Sequence, residues 1–119
     1  MDMKDQRFGI EIEMTGITRE RAAEVAAAYF GTTSRYTGSG YDAYAALDSE
    51  GRQWKFMSDA SIEPQRRDGR RTVGADSDYK TEMVSPICRY DDIIPIQEMI
   101  RKLKEAGAIT NKSCGIHYG

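Results

Sequence analysis

RFGIEIEM, residues 7–14, is the stretch on which the fold turns. Phe8, Ile10, Ile12 and Met14 alternate with Gly9, Glu11 and Glu13. That period of two sends apolar side chains to one face of a strand and polar ones to the other. A strand so divided needs a cover for its apolar face, and the next segment supplies it. Thr18 is placed to cap a helix over Arg19 to Phe30, and Gly31 is placed to end it in a left-handed conformation. Ala22, Val25, Ala26, Tyr29 and Phe30 form its apolar stripe, and the small alanines favour close packing on a sheet.

Working outward, Thr32 to Gly40 reads as a polar, glycine-bearing loop. Tyr41–Asp48 and Arg52–Ser58 flank Ser49-Glu50-Gly51, a hairpin turn with glycine where positive φ is needed. Glu63 to Asp78 carries Arg66, Arg67, Arg70 and Arg71 without periodicity and reads as a mobile surface loop. Tyr79 to Ser85 is a further strand, stopped by Pro86. Asp91 or Asp92 caps a second helix reaching Ala106, with Pro95 tolerated in its first turn, Gly107 closing it, and Ile93, Ile96, Met99, Ile100 and Leu103 as its buried stripe. Lys112 to Gly119 forms a short last strand. The order β-α-β-β-β-α-β predicts an α+β fold, an antiparallel or mixed sheet of about five strands with both helices on one face.

Composition sets the outer limits. A chain of 119 residues suits one domain spanning 1–119, and 39% hydrophobic with 30% charged residues is globular rather than disordered. The net charge of −2 predicts no general attraction to nucleic acid or anionic membrane, leaving a protein or small-molecule partner. The charged start MDMKDQRF lacks the apolar core of a secretory signal, no stretch approaches a membrane span, and Cys88 and Cys114 have no CxxC spacing. The expected location is the reducing cytoplasm.

If helices cover one sheet face, Glu11 and Glu13 project from the other, about 7 Å apart along the strand. Two like charges so placed repel, and a divalent cation relieves them, although an ordinary solvated sheet face explains them too. Glu82 is a charged residue inside a short strand, open to solvation, to an arginine, or to a third-carboxylate role. His117, the chain's one histidine, sits between glycines that leave room for a bound group. Asp59 ends a strand, as a turn former also would. Cys114 adds a sulfur suited to zinc, but strand alternation sets it on the face opposite His117.

FGIEIE, then W-x-F-x-x-D-A-S-I, then E-M-V-S-P-I, then C-G-I-H occur here in the order in which they resemble the amidoligases. These are relatives of glutamine synthetase and glutamate–cysteine ligase among ATP-dependent carboxylate–amine ligases. The resemblance runs from Phe8 to His117 and implies roles. Glu11 and Glu13 match the paired metal-binding glutamates, Glu82 the glutamate before the Ser-Pro motif, and His117 the first histidine of a Gly-x-His-x-His strand. Asp59 matches a position of substrate or metal contact. The implied cofactor is a divalent ion, zinc or magnesium/manganese, with ATP as phosphoryl donor in a ligase.

Two departures shape the expectation. Gly119 stands where the family's second histidine would be, and family members run on well past that point. No glycine-rich phosphate-binding motif replaces what they would add. The reading is therefore a truncated amidoligase-like domain with a structural metal, acting as a non-catalytic protein-binding module. One form is a phage or mobile-element inhibitor of a host defence nuclease, anti-CRISPR in type, with Arg66, Arg67, Arg70 and Arg71 as its contact surface. The alternative is a working amidoligase completed by self-association as a homo-oligomer.

Overall fold

The computed structural model describes residues 6–119, so most of the charged start lies outside the described residues. The strands are β1 (Arg7–Phe8), β2 (Ile10–Met14), β3 (Ser34–Gly38), β4 (Ala43–Leu47) and β5 (Gln53–Met57). They continue with β6 (Gln65–Asp68), β7 (Arg71–Gly74), β8 (Thr81–Val84), β9 (Cys88–Arg89) and β10 (Ile116–Tyr118). The helices are α1 (Arg19–Phe30) and α2 (Ile93–Glu105). Six strands form one antiparallel sheet in the order β10-β2-β8-β5-β4-β3.

The alternation in RFGIEIEM sets the two faces. Ile12 pairs with Met83 and Met83 with Phe56, so these buried side chains share the inner face with Ile10, Met14 and Trp54. Helix α1 lies on this face with Ala22, Ala23, Ala26 and Ala27 buried, and their small size lets the helix sit close to the strands. Its ends follow the sequence: Thr18 Oγ1 accepts the Arg21 N–H at 3.2 Å, and Gly31 caps the far end at φ 74°. Helix α2 packs beside α1 and buries Ile96, Met99 and Leu103 in the same core. The α+β fold is as expected, with both helices on one face.

Two segments differ from their sequence reading. Ser34–Gly38, expected as loop, is edge strand β3 paired with β4. Its side chains are mostly exposed, so no apolar alternation marked it. The arginine segment, expected as a mobile loop, is the hairpin β6–β7, turned at Gly69 with φ 63°. A two-residue turn whose first position has positive φ matches strand twist, and glycine adopts it without strain.

Two charged clamps hold the connections. Arg19, buried at the start of α1, donates to the Asp42, Ser77 and Lys80 carbonyls and to Asp42 Oδ2 at 2.7 Å. Asp48 accepts from Trp54 Nε1 at 2.9 Å and Arg52 Nε at 2.8 Å, while Arg52 reaches Asp92 Oδ1 at 2.8 Å. Asp92 thereby joins the β4–β5 turn to the start of α2 rather than capping α2 with its side chain. Among the described residues no helix is long and apolar enough to cross a membrane.

Candidate metal centre

The outer face of the sheet is where the polar half of the alternation emerges. Glu13 is paired with Glu82 across β2–β8, and Glu11 with His117 across β10–β2. Directly opposed residues of an antiparallel pair point to the same side, so all four stand on the face away from the helices.

Asp59 reaches this face from the loop that follows β5. Its Oδ1 accepts both the Ser61 N–H at 2.9 Å and the Ser61 hydroxyl at 2.7 Å, the tight local turn an Asp-x-Ser spacing produces. One carboxylate oxygen each from Glu13, Asp59 and Glu82 lies within 4.8 Å of the others. His117 Nε2 stands 3.8 Å from Glu13 Oε1. Glu11, exposed, borders the cluster and acts on Glu82 through its charge.

Two groups that sequence reasoning did not single out hold Glu13 in place. The Gly115 N–H donates to Glu13 Oε1 at 2.8 Å, and Ser61 Oγ lies 3.3 Å from Glu13 Oε2. Gly115 leaves room for this carboxylate: a Cβ there would sit 3.3 Å from Glu13 Oε1 and press on it. Ser61 was within reach from the Asp-x-Ser motif, whereas a contact 102 positions apart leaves no local signal for Gly115.

Three carboxylates so close cannot all stay ionised without a counter-charge. Burial, the Asp59 hydrogen bond and the Glu11 charge push Glu82 up to about 8. The hydrogen bond to Asp59, then burial, raises Glu13. Asp59 is the acceptor of the set, and the Glu13 and Ser61 hydrogen bonds hold it well below the usual carboxylate range. The cluster without an ion therefore holds a proton on Glu82 that a cation would displace.

Three oxygen ligands on one face fit a hard divalent cation such as Mg²⁺ or Mn²⁺. Cys114 does not join them: its Sγ faces Asn111 Oδ1 at 3.6 Å. Arg66, Arg67, Arg70 and Arg71 also stay outside the cluster, on the exposed hairpin β6–β7.

The family model described as "Putative amidoligase enzyme" matches residues 4–118. No curated protein and no solved structure matches the chain.

Proposed function

The chain belongs to the amidoligase family, and on that premise we propose that it holds a divalent cation for ATP-dependent joining of a carboxylate to an amine. The observation that carries this reading is the convergence of Glu13, Asp59 and Glu82 from β2, the β5 loop and β8. When bound, the cation neutralises charge on transferring phosphate. Glu13, Asp59 and Glu82 would hold it, with His117 and Glu11 beside them. The Gly115 N–H and Ser61 hydroxyl keep Glu13 and Asp59 aimed, so the ligand oxygens need little rearrangement on binding. The all-oxygen donor set favours Mg²⁺ or Mn²⁺ over zinc.

The test is ADP release from Mg²⁺–ATP with panels of carboxylic acids and primary amines. Release that needs both partners and is lost in Glu82→Gln supports the ligase. ADP release indifferent to both, or unchanged in Glu82→Gln, rejects it.

A second reading keeps the cation as a structural element in a non-catalytic module that grips another protein, of which a nuclease inhibitor of the anti-CRISPR type is one form. One observation favours it: among the described residues no carboxylate pairs with the exposed arginine hairpin. Stable cation binding with no ATP turnover, together with capture of one defined protein, supports this module over the ligase.

A further inference from the structure

The hairpin β6–β7 concentrates positive charge that no other described residue pairs with. Residues 66–71 hold four arginines and one aspartate in a chain of net charge −2. Arg19, Arg21, Arg52 and Arg89 each hold a carboxylate of the same molecule. Arg66, Arg67, Arg70 and Arg71 are exposed and have no side-chain partner among the described residues. Unpaired guanidinium groups close together repel one another, so their clustering calls for an anion from outside.

The shape of the array narrows which anion. Pairing of Arg66 with Val73 and of Asp68 with Arg71 puts Arg66 and Arg71 on one face of the ribbon. Arg67, paired with Thr72, stands on the other face, and Arg70 lies in the turn. The four spread along the ribbon and do not converge on one point, as a cradle for a single phosphate would. A strand added to the ribbon's edge also sends successive side chains to alternate faces, so an extended peptide rich in Glu and Asp offers carboxylates to the arginines on both faces. The ribbon also offers backbone to such a peptide. Beyond their own pairing its strands make one backbone hydrogen bond to the other described residues, Gly16 N–H to Gln65 O at 2.8 Å.

The hairpin is rooted on the face that carries the carboxylate cluster. Thr15 lies two residues beyond Glu13, and its Oγ1 donates to Gln65 O at 3.0 Å or Tyr79 O at 2.7 Å while accepting the Gln65 N–H at 2.8 Å. By alternation Thr15 points to the side of Glu11 and Glu13, so the ribbon starts about 7 Å from Glu13 along the strand.

We propose that β6–β7 is a docking ribbon for an extended, Glu/Asp-rich protein segment, which adds as a strand to its edge and pairs its carboxylates with Arg66, Arg67, Arg70 and Arg71. Main-chain hydrogen bonds hold such a strand, and the arginines select for acidic side chains. The arrangement stands whether or not the neighbouring cluster is catalytic.

The probe is a fluorescein-labelled Glu-Val octapeptide, two repeats of Glu-Glu-Val-Val that send carboxylates to both faces, read by anisotropy at low and physiological salt. The intact chain binds it and the matching Gln-Val peptide at least tenfold more weakly. Replacing all four arginines with serine weakens Glu-Val binding at least tenfold, with circular dichroism and Mn²⁺ binding unchanged. An alternately N-methylated Glu-Val peptide, equal in charge, binds at least fivefold more weakly. The proposal is overturned if the serine variant binds as the parent does, if N-methylation has no effect, or if a single-stranded oligonucleotide of equal charge binds more tightly. Retained Mn²⁺ binding in the serine variant separates this outcome from any failure of the cation site.

Discussion

Glu13 in β2 lies directly opposite Glu82 in β8, on the sheet face that the helices leave open. Like charges directly opposed in an antiparallel pair destabilise it. Asp59 brings a third carboxylate to the same spot, 4.8 Å or less away, instead of a basic partner. Such an arrangement lowers the stability of the protein alone, and a cation would reverse the sign of the effect.

Glu82→Gln tests that sign. The amide keeps the shape of the side chain and removes its charge, so the ion-free variant should unfold at the same temperature as the parent or higher. Saturating Mn²⁺ should stabilise the parent by about 2.7 kcal/mol at one hundred times its Kd, and the variant by much less. Parallel thermal melts with Mn²⁺ and with EDTA read both effects.

The raised Glu82 and Glu13 carboxyls also fix a pH dependence. A carboxyl that holds its proton more tightly when folded contributes stability that is fully present below the ordinary 4.5. The Glu82 contribution is lost as pH rises through about 8. Urea unfolding in EDTA should therefore show stability from these groups falling between pH 5 and 8. Glu82→Gln should flatten that fall.

Legibility in the sequence followed packing. The alternation of RFGIEIEM and the capped alanine helix were readable because one face of each is buried, which imposes a period. Ser34–Gly38 and the hairpin Gln65–Gly74 are nearly all exposed, so nothing forced their residues into alternation. Glu11 and Glu13 were readable as residues of one outer face, because strand parity decides the side, whereas Glu82 and His117 were joined to them by the family resemblance. Which of them would crowd Asp59 depended on strand order and on how the β5 loop folds back, and neither leaves a mark in local spacing. Arg19 shows the same limit: an arginine in the first turn of a helix looks solvent-facing, yet here it is buried among carbonyls that lie far along the chain.

Asp48→Ala should cost about 3 kcal/mol, the range for removing one partner from a buried ionic network. It strips acceptors from Trp54 Nε1, from Arg52 Nε and from the Glu50 and Arg52 N–H groups. Trp54→Phe removes one of these bonds and should cost less. Chemical denaturation monitored by far-UV circular dichroism gives both values without relying on Trp54 fluorescence.

Gly115→Ala should leave the fold intact and weaken Mn²⁺ binding roughly tenfold, equivalent to about 1.4 kcal/mol. The added methyl meets Glu13 Oε1 at 3.3 Å and turns that carboxylate from its position. Gly16→Ala is the contrasting case, since its Cβ would come within 2.3 Å of Gly107 O at a φ of 81°. That change should disrupt folding itself, seen as lost soluble yield or a sharply lowered melting temperature.

Mn²⁺ titration of the purified chain, followed by loss of the free-ion electron paramagnetic resonance signal, bears most directly on the cation site. The parent should take up Mn²⁺ saturably, and Glu13→Gln, Asp59→Asn and Glu82→Gln should each lose most of that uptake while remaining folded. Uptake absent from the parent, or undiminished in all three folded variants, would contradict the account.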